Sequence, residues 1–167
     1  MVRFKHRYLL CEVRLPPLRP LRQLLHHRSV RSALRLAIAE MHGDYGLAAC
    51  EAGLAVKYVN AHTGSVLIRV RQRSLQLLTS ALAVITSLQQ QQQRSPCAFH
   101  LLHVGGTIRT CQKFLLKHHQ QRQEQLLKAC NTEEEREALR GAMAMSCPLL
   151  DSADDHGEFF GVDVESA

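Results

Sequence analysis

The segment HVGGTIRTCQKFL, from His103 to Leu115, decides the fold because it joins a strand to a helix across two glycines. The residues Cys97 to Val104 form an apolar run that is typical of a strand, and the glycines stop it. Thr107 is a residue type that caps helix starts, and the helix that follows is predicted to continue towards Cys130. The segment therefore predicts a strand, a tight turn and a helix.

The turn is a candidate site for phosphate. Free N–H groups at a helix start attract anions, and glycines allow an oxygen to approach closely, so Gly105, Gly106 and Thr107 are candidate RNA-binding residues. The turn is not a nucleotide P-loop, because the Lys-Ser or Lys-Thr after the last glycine is missing. The open alternative is that the glycines only turn the chain into the helix.

The predicted helix carries a basic stripe. Arg109, Lys113 and Lys117 are spaced four residues apart, so at 100° per residue they drift only about 40° per step, while the apolar residues lie opposite. We predict that this stripe binds RNA phosphates. The alternatives are solvent-facing cations or an acidic protein partner.

Outward from this segment, alternating and helical patterns give the order strand, helix, strand, strand, helix, strand, helix. The first six elements match a split βαβ arrangement, so the predicted fold class is α/β (α+β), an RRM-like or ferredoxin-like sandwich with an antiparallel four-stranded sheet packed by helices. The predicted ranges are a strand over Arg3 to Val13, a helix over Ser29 to about His42, paired strands over Ala49 to Asn60 and Gly64 to Arg71, a helix over Leu75 to Ile85, and an extra C-terminal helix over Thr132 to about Met145.

The first helix has two distinct faces. Its apolar residues fall on one arc, while Arg28, Arg31 and Arg35 fall together elsewhere. We predict Ser29 as the N-cap and Gly43 as the C-cap.

We predict one RRM-like domain over residues 1–148, followed by an acidic disordered tail over 149–167. Five glutamines, Gln89 to Gln93, predict a Gln-rich linker over 89–95 within that domain rather than packed structure.

Charge is segregated along the chain. Six acids and no Lys or Arg lie in 149–167, so residues 1–148 hold all 21 Lys and Arg against the other nine acids, a net charge of +12. This balance favours a polyanion partner, although a solvated basic surface is the open alternative. Arg3, Lys5 and Arg7, at the first strand, are further candidate RNA-binding residues.

Several classes of function lack support in the sequence. Cys97 and His103 share one face of a strand while His100 points to the other, so the three cannot converge on a metal without a helix or a bulge, and no residues stand at a diagnostic catalytic spacing. We therefore predict no catalytic residue and no metal site. The dispersed cysteines are typical of buried thiols in a reducing compartment, and neither a signal peptide nor a membrane span is expected.

Four segments together resemble the Pop-family protein subunit shared by ribonuclease P and ribonuclease MRP. They are Met1 to Glu12, His42 to Gly46, Val59 to Gly64 and His103 to Leu115, so the resemblance reaches most of residues 1–120. The chain departs from the family over Val13 to His27 and in the glutamine run.

The resemblance implies a non-catalytic subunit of a ribonucleoprotein in the nucleus and nucleolus. That particle removes the 5′ leader of precursor tRNA, and its sister particle processes ribosomal RNA precursors. Catalysis there belongs to the RNA and its Mg²⁺, and the protein binds no cofactor. The implied partners are the catalytic RNA, a thirty-kilodalton Rpp-like subunit and other subunits, with precursor tRNA contacted indirectly and no membrane. The alternative is a protein-only adaptor whose basic face binds an acidic protein.

Overall fold

The computed structural model describes residues 4–16, 25–90, 93–129, 133, 135–137 and 141. The chain divides into two compact units, Met1–Cys111 and Gln112–Ala167, each of which is described by itself. The elements are β1 His6–Arg14, α1 His27–Glu51, β2 Ala55–Asn60, β3 Ser65–Arg71, a 3₁₀ turn Gln72–Ser74, α2 Leu75–Leu82, β4 Ser87–Gln90, β5 Gln93–Pro96, β6 Ala98–Gly105 and α3 Ile108–Ala129.

The main sheet of the first unit has the order β2-β3-β1-β6, and every neighbouring pair is antiparallel. Two central strands that are far apart in sequence thus lie side by side, flanked by the strands that follow each helix. This is the order of a split βαβ fold. The predicted α/β class with an antiparallel four-stranded sheet is confirmed.

The core of the first unit lies between one face of this sheet and helices α1 and α2. Leu9 and Cys11 of β1 face this core with Ile68 of β3, as the two-residue period of the strands predicts. Leu10 and Leu67, on the opposite face, also have no exposed surface. None of the described helices is long and apolar enough to cross a membrane.

Helix α1 is longer than predicted and is interrupted at Gly43. The φ of Gly43 is 63°, the left-handed conformation that ends helices, but the chain then resumes a helix up to Glu51. The prediction of a strand from Ala49 was therefore wrong at its start. The N-cap is His26 rather than Ser29. Ser29 lies three residues further on, where its Oγ accepts a hydrogen bond of 3.1 Å from the N–H of His26.

Where the structure describes the segment predicted as a linker, it forms paired strands, and Gln91 and Gln92 lie outside the described residues. Strands β4 and β5 pair antiparallel, with Leu88 opposite Ser95 and Gln89 opposite Arg94. The side chains of Leu88 and Ser95 are buried, with 0% and 1% exposure, and Leu88 belongs to the core of the first unit. The buried Leu88–Ser95 pair thus anchors the hairpin to the core. The glutamine-rich composition of this segment would not have predicted any packing.

Helix α3 begins after Thr107 and reaches Ala129, close to its predicted end. Residues 133, 135–137 and 141 are helical, which agrees with the predicted C-terminal helix where the structure describes it. Thr132 and the predicted acidic tail over 149–167 lie outside the described residues. The single domain over 1–148 stays a prediction.

Candidate nucleic-acid interface

The junction between β6 and α3 is stabilised by two threonines. The N–H of Thr110 donates to Oγ1 of Thr107 at 3.3 Å, and the N–H of Thr107 donates to Oγ1 of Thr110 at 3.4 Å. Such a reciprocal pair satisfies two backbone donors near the helix start. The prediction that Thr107 caps this helix is confirmed.

Gly105 is required by packing within the protein. A methyl group added at Gly105 would lie 2.5 Å from Oγ1 of Thr110 and 2.7 Å from Sγ of Cys111. The Cys111 thiol donates to the carbonyl oxygen of Tyr8 at 3.7 Å, so the first turn of the helix rests on β1 and β6. Burial raises the pKa of Cys111, and hydrogen bonds with Gly105 and Thr110 partly offset the increase. The space beside Gly105 is therefore occupied by the side chains of Thr110 and Cys111, so the absence of a side chain at Gly105 is explained by packing.

Gly106 is exposed, and its environment differs from that of Gly105. The nearest atom to a methyl group added there is Nη1 of Arg7, at 3.6 Å, which is an ordinary contact distance. Strand register explains this neighbour, because Tyr8 pairs with Gly105 and so Arg7 reaches Gly106. An exposed glycine backbone beside a guanidinium is a geometry that suits phosphate.

The start of β1 brings another predicted cation to this end of the sheet. Lys5 is exposed, and its carbonyl oxygen accepts a hydrogen bond of 2.9 Å from the N–H of Gln72, which fixes the backbone beside β3. Arg7 donates from Nη1 to the carbonyl oxygen of His6 at 3.3 Å. Arg3 lies outside the described residues.

Two arginines of β3 lie beside these residues, and sequence reasoning did not select them. Arg71 pairs with His6 in the sheet register, and Arg69 pairs with Tyr8. The guanidinium of Arg71 lies 4.2 Å from the ring centre of Phe4, a cation–π contact that fixes the side chain. The sequence signal that could have identified Arg69 and Arg71 is the segment Ile68-Arg69-Val70-Arg71, in which apolar residues alternate with cations along one strand.

The basic stripe lies on α3, and Arg109, Lys113 and Lys117 are all exposed. Arg109 belongs to the first unit, whereas Lys113 and Lys117 belong to the second. Their one-sided arrangement follows from their spacing on a continuous helix. Their contact with RNA stays a prediction.

Recognition of bases by stacking has little support on this sheet. The two central strands carry one aromatic residue, Tyr8, which is half-buried, and Leu10 and Leu67 of these strands are fully buried. The hydroxyl of Tyr58, on the edge strand β2, accepts a hydrogen bond of 2.9 Å from Nδ2 of Asn60. RRM domains stack bases on aromatic residues of these central strands. Contacts to the RNA backbone are therefore the mode that the first unit favours.

No group of three or more His, Cys, Asp or Glu side chains converges to hold a metal ion anywhere in the described part of the chain. Cys97 precedes β6 and is half-buried, and burial raises the pKa of its thiol to about 11. Such a thiol is a poor source of the thiolate that binds metals or attacks substrates.

Comparison with known proteins places these features in a family. A family model described as the Rpp14/Pop5 family matches residues 7–116. The chain is 49% identical over 158 residues to the human ribonuclease P/MRP protein subunit POP5, covering 95% of this chain and 96% of that protein. The corresponding subunit of Danio rerio is 44% identical over 167 residues, covering 95% and 98%. A chain in a cryo-EM structure of yeast ribonuclease MRP aligns with a TM-score of 0.48 and 16% identity, covering 78% of this chain and 99% of that chain. This chain belongs to the Rpp14/Pop5 family.

Proposed function

We propose that this chain is a non-catalytic protein subunit of the ribonuclease P and ribonuclease MRP ribonucleoproteins. The observation that carries the proposal is the alignment with the human subunit, which leaves only a few per cent of either chain unmatched. A match of this extent covers both the sheet and the β6–α3 junction, so it concerns the whole chain rather than one motif.

The subunit supports removal of the 5′ leader from precursor tRNA and processing of ribosomal RNA precursors by stabilising the catalytic RNA. Cations held on rigid elements replace counterions along the RNA backbone, which supplies affinity with little dependence on sequence. The proposed phosphate contacts come from Arg3, Lys5, Arg7, Gly106, Thr107, Arg109, Lys113 and Lys117, whereas Gly105 positions the turn.

The chemistry belongs to the RNA, which holds the Mg²⁺ of the active site. The partners that we propose are a thirty-kilodalton Rpp-like subunit and other subunits of the particles, and precursor tRNA is contacted indirectly. The proposed location is the nucleus, including the nucleolus. A protein-only adaptor that binds an acidic partner is not favoured, because the aligned relatives are named as protein subunits of ribonuclease P/MRP.

Affinity purification of the tagged chain from cells tests this function. We expect one or both of the two RNAs to copurify and the eluate to cleave precursor tRNA at the 5′ leader, and we expect RNase treatment to abolish this cleavage. Recovery of protein partners without RNA would instead support the adaptor.

A further inference from the structure

A cleft of about 500 Å³ lies between helix α1 and the β4–β5 hairpin, away from the residues discussed above. We call it the arginine cleft, because four of its lining residues are Arg28, Arg31, Arg35 and Arg94. None of the described residues that line it is acidic. All of these residues belong to the first unit.

One wall of the arginine cleft is the solvent face of α1. The opposite face of this helix, which includes Val30, Leu34 and Ala37, is buried in the core, so the arginines are directed away from the core by the helical period. At 1.5 Å per residue, the seven steps along the helix from Arg28 to Arg35 span about 10.5 Å. Three cations therefore follow one another along a straight line.

The other wall is the hairpin that contains the glutamine run. Leu88 and Ser95 face the core, so the next cross-strand pair, Gln89 and Arg94, points to the other side of the hairpin, where both are exposed. This alternation places a fourth guanidinium and a neutral amide opposite α1.

A carboxylate outside the cleft holds two of the arginines in place. Glu51 forms ion pairs with Arg31, at 2.9 Å between Nη2 and Oε1, and with Arg35, at 3.3 Å between Nε and Oε2. Both arginine side chains remain about half exposed, at 50% and 51%. Glu51 can neutralise at most one of the four guanidinium charges, and its ion pairs hold Arg31 and Arg35 in place before a ligand arrives.

We propose that the arginine cleft is a second RNA-binding surface, which holds the backbone phosphates of a short single-stranded segment. This inference rests on the proposed function, since it requires that the chain works in a ribonucleoprotein. Guanidinium groups bind phosphate oxygens in pairs, and the serine and glutamine side chains of the cleft are of the kinds that contact phosphate and sugar. Leu36, which is 64% exposed, supplies an apolar surface for a ribose or a base.

RNA is favoured over an acidic protein by the composition of the cleft. Its apolar lining is two alanines and two leucines, and none of the residues that line it is an aromatic of the kind that anchors protein interfaces. A line of cations along one helix instead matches a polymer that carries one charge per repeat. At about 500 Å³, the cleft has the volume of a site for one small ligand, which suits part of a single strand rather than a duplex.

Site-specific photo-crosslinking in the assembled particle tests this surface. Leu36 is replaced by p-benzoylphenylalanine in the tagged full chain, and Tyr45, which is 83% exposed and does not line the cleft, is replaced in the control. After irradiation of the purified particle, we expect RNA to be crosslinked at position 36 and not at position 45. The Arg28→Gln and Arg94→Gln double variant, which leaves both Glu51 ion pairs in place, is expected to remove the crosslink.

A salt titration provides a second measurement. The salt slope is the steepness with which log K for RNA falls as log salt concentration rises. If Arg28 and Arg94 each neutralise one phosphate of a single strand, the salt slope of the double variant is smaller by about 1.4. The measurement uses RNA recovered from the particle and the chain together with its proposed protein partner. When salt is raised from about 50 to 200 mM, the wild-type protein is expected to lose about seven times more of its RNA affinity than the variant loses.

The outcomes separate this inference from the proposed function. Absence of both RNAs from the wild-type particle would reject the proposed function and the cleft with it. A particle that contains RNA but gives no RNA crosslink at position 36, or a protein crosslink there instead, would reject the cleft alone. An unchanged salt slope in a folded double variant would also reject it.

Discussion

Replacing Gly105 with alanine is expected to destabilise the fold at the β6–α3 junction. The added methyl group would lie 2.5 Å from Oγ1 of Thr110 and 2.7 Å from Sγ of Cys111, so at least one of them must move. Thr110 can change its rotamer, although it would lose its bond of 2.7 Å to the carbonyl oxygen of Thr107. Cys111 is fully buried and cannot move without shifting the helix. Overpacking of this kind costs about 1 to 3 kcal/mol.

The matched control is Gly106→Ala, one residue away in the same turn. Its methyl group would lie 3.6 Å from the nearest atom, so we expect the free energy of unfolding to change by no more than about 0.5 kcal/mol. Neither glycine has a positive φ, so backbone strain does not separate the two variants. Urea unfolding of the full chain under reducing conditions measures both, and the midpoint of thermal unfolding should fall by about 2 to 12 °C for Gly105→Ala.

A double variant identifies the contact responsible. Cys111→Ala removes the sulfur that the new methyl group would meet, so Gly105→Ala should cost less in that background, by about 0.5 kcal/mol or more. If Gly105→Ala is no more destabilising than Gly106→Ala, close packing does not explain Gly105. Contact with RNA would then be the better reason for a glycine at this position.

Three further predictions concern RNA binding, catalysis and the thiols. The triple variant Arg109→Gln, Lys113→Gln and Lys117→Gln should keep its helical circular dichroism and flatten the plot of log K for RNA against log salt by about two to three units; an unchanged slope would remove the stripe from the interface. The purified chain alone, with or without Mg²⁺, should not cleave precursor tRNA, and RNase-resistant turnover after repurification would contradict this. Burial raises the pKa of Cys11 to about 12 and that of Cys97 to about 11, from 9.0, so mass spectrometry should find both thiols unalkylated by iodoacetamide at about pH 8.5 until urea is added. Because these pKa values are raised in the folded state, their contribution to stability is complete below about pH 9 and is lost as the pH rises towards 12, which pH-dependent unfolding would detect.

The elements with a strong local signal could be predicted from the sequence. Strands β1 and β3 are short, mostly apolar runs, and α3 has a capping threonine and a one-sided pattern, so their type and order follow from local physical chemistry. The end of α1 could not be predicted in this way. Gly43 does adopt a helix-ending conformation, but the helical residues that follow it, up to Glu51, depend on packing, since Cys50 is fully buried in the core.

The glutamine run and Gly105 show why tertiary contacts were missed. A hairpin forms at the glutamine run because Leu88 and Ser95 are buried, and no local pattern reveals which residues of a polar segment will meet a core. At Gly105, a glycine that admits a phosphate and a glycine that admits a helix turn look the same in sequence. Only the positions of Thr110 and Cys111 distinguish these two explanations.

The basic surfaces on β3 and on α1 are built in the same way, with cations on one face and buried apolar residues on the other. Different residues are therefore expected to determine the stability of the fold and the affinity for RNA. On β3, the cations Arg69 and Arg71 alternate with the buried Ile68 and Val70, and on α1 the arginines lie opposite a buried face. In both cases, the buried apolar residues fix the backbone, and the cations lie at the positions of the strand or helix that face away from those residues. If RNA binds these surfaces as we propose, it meets side chains whose backbone is already ordered by the core, so binding does not have to order that backbone. Substitutions of the cations should consequently change the salt dependence of RNA binding with little effect on the free energy of unfolding, whereas substitutions of the buried residues should reduce RNA binding only by unfolding the chain.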